Sequence, residues 1–285
     1  MTRPLLRILL YPFAAVLVAA GLTISLGTAA GASTRPSGSA SAHAAAVAQS
    51  FIRHLMVGQH SADERAGHAL KVNGQTQVQS NNWSGYADTG SSFSKVSASW
   101  TEPAGSCGLG ESLAAFWVGI DGYNSSSVEQ DGTMIECYLG TEYMYTWWEM
   151  YPTNSVQTVG STVAAGDKIT ASVVRTGTSY ALKVTDSTHP ADSFSTTQSC
   201  SSCTNASAEW IAEAPSGTFG VYPLTDFGTW NATGASVTKG STAGTISSFP
   251  DDEITMADDL GLTQAQPGAL SGGGSAFSVT WKSSD

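Results

Sequence analysis

The sequence predicts an all-β domain, a sandwich or a barrel, and three observations lead there. From Asn81 onward, short runs rich in β-branched and aromatic residues alternate with clusters of Gly, Ser, Thr and Asn. Over the same region no apolar repeat of helical period persists for a helix length. Glycine is abundant, 30 of 285 residues, as the turns of a many-stranded fold require.

Ahead of that body stands an export signal, residues 1–30. Arg3 and Arg7 supply positive charge, the run from Ile8 to Leu26 is largely apolar and uncharged, and Thr28, Ala29 and Ala30 offer a small-residue cleavage site. The run is near the lower length limit for a membrane span. The small-residue exit favours release, so the expected location is extracellular, with no membrane association after signal removal. Residues 31–77 read as a Ser/Ala/Gly linker followed by a pro-segment from His43 to Gln77, with a helix expected over Ala44–Val57. A plain disordered extension is the alternative. Four of the five histidines (His43, His54, His60 and His68) fall in this stretch, so it would charge as pH drops through about 6.5 and assist its own release.

The domain proper is read as 78–285, with strands at Trp83–Ala87, Lys95–Thr101, Ala114–Ile120, Thr133–Cys137, Tyr143–Tyr151, Lys168–Val174, Tyr180–Thr185, Ala208–Glu213 and Ala276–Trp281. The polar stretch Asp251 to Ser275 reads as loop and edge structure. Cys107, Cys137, Cys200 and Cys203 allow three pairings in an oxidising compartment; the expectation is Cys200–Cys203 closing a tight turn and Cys107–Cys137 joining two segments. Cys200-x-x-Cys203 also has zinc-ligand spacing, but the other pair is badly spaced for it and export disfavours free thiolates, so no metal is expected.

Charge excludes one class of partner. From Val72 onward there are 6 basic and 21 acidic residues, a net of −15, and such a surface repels phosphate backbones. The same balance suits work below neutral pH. The histidine census excludes more. Beyond the N-terminal region only His189 remains, in a turn, Asp186-Ser-Thr-His-Pro190, so a Ser-His-Asp triad has one candidate base. There is no His-Glu-x-x-His pair and no Gly-x-Ser-x-Gly elbow. Asp88-Thr89-Gly90-Ser91 mimics half of a two-aspartate site, but only once.

Two strands carry carboxylates in telling places. In Tyr143-Met-Tyr-Thr-Trp-Trp-Glu-Met-Tyr151, alternation puts Tyr143, Tyr145, Trp147, Glu149 and Tyr151 on one face and Met144, Trp148 and Met150 on the other. One face belongs in a core; the other looks like a groove floor. In Ala208-Glu-Trp-Ile-Ala-Glu213, Glu209, Ile211 and Glu213 share a face, which needs either solvent or a function.

Five blocks in order then carry a resemblance: Asn82-Trp-Ser-Gly-Tyr86, Phe116-Trp-Val-Gly-Ile-Asp-Gly122, Val128-Glu-Gln-Asp-Gly132, Trp147-Trp-Glu-Met-Tyr-Pro152 and Asn205-Ala-Ser-Ala-Glu-Trp-Ile-Ala-Glu213. The set, spanning Asn81 to Trp281, resembles the glutamic peptidases, the eqolisins of peptidase family G1, acid endopeptidases first known from fungi and with bacterial relatives; this chain resembles a bacterial member. The resemblance implies a sandwich of two bent antiparallel sheets, lectin- and glucanase-like (concanavalin A-like), and no cofactor. It implies catalytic roles for Gln130 and Glu213, and a cleft lined by Trp83, Gly85, Trp117, Asp121 and Glu149. Glu213 would act as general base on a water, and Gln130 would stabilise the oxyanion without ionising in acid. The expected partners are protein or peptide substrates, and nothing in the sequence requires more than a monomer. Departures are Gln-Asp-Gly where members often have Gln-Thr-Gly, a Gly122–Gln130 loop one residue shorter, and cysteines that match only in part.

Two other readings fit the residues alone. Glu149 and Glu213 in an aromatic groove also describe an acidic glycoside hydrolase, which would tolerate loss of Gln130. A non-catalytic carbohydrate- or peptide-binding sandwich would tolerate loss of Glu213.

Overall fold

A computed structural model describes residues 70–72, 75–217 and 220–284. The export signal, linker, helix and most of the pro-segment expected from the sequence lie outside the described residues. In chain order the strands are β1 Leu70–Val72, β2 Gln75–Ser80, β3 Trp83–Thr89, β4 Phe93–Thr101, β5 Ser112–Asp121, β6 Val128–Tyr138, β7 Thr141–Tyr151, β8 Asn154–Thr158, β9 Lys168–Thr176, β10 Ser179–Asp186, β11 Phe194–Ser199, β12 Ser207–Glu213, β13 Ser216–Gly217, β14 Gly220–Val221, β15 Thr229–Lys239, β16 Thr242–Gly244, β17 Asp251–Ala257, β18 Thr263–Pro267 and β19 Phe277–Trp281.

They form two sheets packed face to face. The front sheet runs β8-β7-β6-β5-β12-β3-β17-β2-β1, with β18 and β19 continuing from the end of β17. The back sheet runs β11-β10-β9-β4-β15-β16. Pairing between named strands is antiparallel except for β2 beside β17. Strand β15 belongs to both sheets: Thr229–Ala232 pairs with β19, and from Thr233 onward it pairs with β4, with a register shift between Thr233 and Ser236. Gly234, at φ +60°, sits at that bend, where a left-handed backbone suits glycine.

Alternation along the front strands separates two apolar clusters. Tyr86, Phe116, Val118, Ile120, Ile135, Trp210 and Ala212 face the back sheet and pack with Val96, Trp100, Ile169, Val173, Leu182 and Val184. Trp230 fills the centre, stacked on Phe116 at 5.5 Å and edge-on to Trp100 at 5.6 Å. On the opposite face of the front sheet, Val78, Trp83, Trp117, Met134, Tyr145, Trp147, Ile211 and Ile254 form a second cluster. The front sheet therefore carries buried apolar side chains on both faces, and the site of interest lies on the outer one.

The sequence reading places the nine principal strands correctly in kind, most of them short by one to several residues. It is corrected at Asp251–Ser275, which contains β17 and β18 in place of loop. The three acids that open β17 hide its pattern, yet Ile254 and Met256 are fully buried and the strand is clamped between β3 and β2. Strand β15 was also not foreseen.

Candidate active site

The central strand of the front sheet is β12, between β3 and β5, and its register sets the site. One row across the sheet aligns Glu209, Gly119, Gln130 and Glu149; another aligns Trp83, Glu213, Ala115 and Met134. Between them runs Ile211, Trp117, Gly132 and Trp147. All of these share the outer face, as strand alternation demands. Two glycines make the rows possible: a Cβ on Gly132 would stand 2.0 Å from the Phe116 carbonyl oxygen, and one on Gly119 would stand 2.9 Å from the Trp117 ring.

Glu213 is fully buried and receives two donors. The Trp117 indole N–H donates to Oε2 at 2.7 Å and the Asn82 amide donates to Oε1 at 3.3 Å. Both bonds stabilise negative charge on the carboxylate. Trp83 meets Trp117 edge to face at 5.0 Å, which fixes the indole that holds Glu213.

Gln130 is fully buried, and its Nε2 donates to Glu149 Oε2 at 2.8 Å. Burial holds the Glu149 carboxyl well above the usual carboxylate range; the Gln130 bond opposes this and the charge of Glu213 adds to it. Glu149 is thus a neutral acid that orients the glutamine amide, electrostatically coupled to Glu213. Glu209 is also fully buried and held neutral, chiefly by burial and then by the charges of Asp121, Glu129 and Asp88. Solvent exposure, one of the two options for the Glu209–Glu213 face, is therefore ruled out for both acids. Glu213 receives two N–H donors that favour its anion, whereas at Glu209 burial outweighs the hydrogen bond with Ser207.

Other expected cleft residues stand apart. Asp121, at φ +68°, turns to the loop before β12, accepting from the Thr204, Asn205 and Ala206 backbone N–H groups at 2.9, 2.7 and 2.7 Å and from the Thr204 hydroxyl at 2.7 Å. It anchors the entry to β12. Gly85, at φ +149°, lets β3 approach β12 so closely that a Cβ would stand 2.1 Å from the Trp210 carbonyl oxygen. Cys107 pairs with Cys137, and Cys200 with Cys203 at the turn feeding the Asp121-held loop. Glu129 lies against that second pair, whose sulfurs are bonded to each other and are not thiolate ligands. His189 is exposed and its Nδ1 lies 2.8 Å from Asp167, in a turn of the back sheet. Asp88 is a buried strand residue whose carboxyl is pushed up to about 9 by burial. Asn82 is the residue that sequence reasoning missed; its signal was adjacency to Trp83 within a matched block.

Comparison with known proteins agrees with this layout. The family model for the peptidase A4 family matches residues 81–266. Aspergillopepsin-2 from Aspergillus niger is 29% identical over 213 residues, covering 66% of this chain and 73% of that protein. Scytalidopepsin B from Scytalidium lignicola is 33% identical over 148 residues, 50% of this chain and 55% of that one. A crystal structure of scytalido-glutamic peptidase with a transition-state analogue inhibitor superposes with a TM-score of 0.61 at 25% identity, covering 71% of this chain and 98% of that one. On its family match, its two-sheet sandwich and its glutamine- and glutamate-bearing outer face, the chain belongs to the peptidase A4 family, the glutamic endopeptidases.

Proposed function

We propose that the chain is a secreted acid endopeptidase in which Glu213 is the general base and Gln130 stabilises the oxyanion. The observation that carries this reading is the contrast between the acids on one sheet face. Glu213 is held by two N–H donors, whereas Glu149 is neutral and bonded to the Gln130 amide. Glu213 takes a proton from a water as the water oxygen attacks the scissile carbonyl carbon. The Gln130 amide donates to the oxyanion that forms, and as a neutral group it does so at any acid pH. When the C–N bond breaks, Glu213 returns the proton to the leaving nitrogen. Trp83 and Trp147 carry buried indole N–H groups unpartnered among the described residues, suited to the carbonyls of an extended peptide.

The wider reading follows the same lines. Residues 1–30 are an export signal, 31–77 a linker and pro-segment, and 78–285 the peptidase, acting outside the cell as a monomer on proteins and not on nucleic acid. The two disulfides support an oxidising compartment. A concanavalin A-like architecture is supported by a broad front sheet that carries the site on its outer face. The shortened Gly122–Gln130 loop favours a bacterial member over a fungal one.

The test is digestion of a denatured protein by the acid-activated full chain between about pH 2 and pH 7, beside E213Q and Q130A. Loss of cleavage in E213Q and a drop of about 10²–10³ in kcat for Q130A are expected. Full activity in E213Q would move the base elsewhere.

A further inference from the structure

We propose that Ser80 is a positioning residue for the hydrolysis: its hydroxyl fixes the Asn82 amide so that the N–H end, not the carbonyl end, faces Glu213. The inference rests on Glu213 being the base. Ser80 closes β2 and lies one residue ahead of the stretch that the family model matches. It is 3% exposed, and Asn82 is fully buried. Strand β2 gives it a firm support. The strand runs parallel to β17 with Ser80 opposite Met256, and Val78 joins the cluster that holds Trp83 and Trp117.

The hydrogen bonds of Ser80 use the whole capacity of its hydroxyl, one donor and two acceptor lone pairs. The Asn82 N–H donates to Oγ at 3.3 Å and the Trp83 N–H at 3.1 Å, which occupies both lone pairs. Only the O–H is left to give, and it goes to Asn82 Oδ1 at 3.2 Å. An asparagine amide has unlike ends, an acceptor oxygen and a donor nitrogen. With the oxygen committed to Ser80, Nδ2 is the end that meets Glu213 Oε1, at 3.3 Å. A flipped amide would set its carbonyl oxygen against the carboxylate. The main chain supports the same placement: the Ala214 N–H donates to the Asn82 carbonyl oxygen at 2.8 Å, and Trp83 pairs with Glu213.

Losing a donor makes a carboxylate harder to ionise, so activity that needs the anion fades at a higher pH. On the outer face around Glu213, β3 presents no titratable group, β5 presents Asp121, β6 Glu136, β7 Glu149 with its tyrosines, and β12 itself Glu209. Asp258 and Asp259 line a hollow beside Ser80. All of these are common to the variants compared. The experiment uses the acid-activated full chain and a peptide with blocked termini and no ionisable side chain. The profile of kcat/KM against pH is recorded for the wild type, S80A, S80T, N82A and S80A/N82A. In S80A the acid limb should move up by about one pH unit, a loss of roughly tenfold in kcat/KM on that limb. S80T keeps the O–H and should bring the limb back. S80A should add nothing to the shift of N82A, because the amide it orients is gone. Should S80A not fold, S80C, whose S–H is a weak donor, takes its place with a smaller shift in the same direction. A limb that stays in place while only the melting midpoint falls overturns the proposal. So does a shift that S80T leaves uncorrected, or one that S80A repeats in full on top of N82A. E213Q run in parallel keeps the two readings apart: its inactivity beside an unmoved limb condemns the role of Ser80 alone, whereas its activity condemns the base assignment.

Discussion

Trp117 reaches Glu213 through one indole N–H at 2.7 Å, and the adjacent register position of Gly119 leaves room for its ring. Replacing it with phenylalanine keeps the packing and removes the donor. The expected outcome for W117F is a kcat lowered roughly ten- to a hundredfold with a small change in KM, since a bond to a charged group is lost. Steady-state kinetics on one peptide would show it. Glu149 offers the opposite test. Because burial keeps its carboxyl neutral, E149Q preserves the acceptor for Gln130 and should hold kcat within about threefold, while E149A frees the glutamine amide and should lose far more. A severe defect in E149Q would instead mean that its proton takes part in the reaction. Glu149 and Glu213 were legible as groove acids because strand alternation alone puts them beside tryptophans. Asn82 was not legible, because its contact with Glu213 spans 131 residues and depends on the β3–β12 register. Nor does any local pattern say that Asp121 turns away, since that follows from a positive φ at the strand end.

The strands that alternate cleanly, such as β5, β7 and β12, are the ones a sequence discloses. Strand β17 opens with three acids, Asp251, Asp252 and Glu253, along β3, and β15 bends at Gly234 near its change of partner, so each breaks the simple pattern. Their existence is a property of the sheet and not of the segment. At this scale Gly132 is a tightly constrained position of β6: an added Cβ would collide with backbone on β5 at 2.0 Å. G132A should therefore destabilise the domain by about 1–3 kcal/mol, read as a lower denaturant midpoint. The Cys107–Cys137 bridge closes a sequence separation of 30 and ties the loop before β5 to the end of β6. Replacing both cysteines with serine should cost about 3–4 kcal/mol in the same assay, whereas the Cys200–Cys203 pair, with a separation of 3, should cost less.

Taken whole, the domain buries carboxyl groups in surroundings that favour their neutral form. Burial pushes Asp88 and Glu129 up to about 9, Glu102 to about 8 and Glu136 to about 7. A carboxyl whose folded pKa exceeds its unfolded value binds its proton more tightly in the folded state. The resulting stability is complete below about pH 4 and is lost as pH rises through those folded values, at roughly 1.4 kcal/mol per pH unit for each group. Thermal melts should therefore give their highest midpoint in acid, with a steady fall toward about pH 9. A flat profile would show that these groups ionise without cost. The acidic composition thus has an inner counterpart, and the fold suits the pH of its chemistry. The strand shared by both sheets adds a further consequence. Because β15 pairs with β19 on one side of its bend and with β4 on the other, neither sheet can peel open without pulling on its partner. Local openings that would expose an extended segment to attack are thereby tied to global unfolding. An enzyme that works among copies of itself is spared much of its own digestion by the route of a single strand.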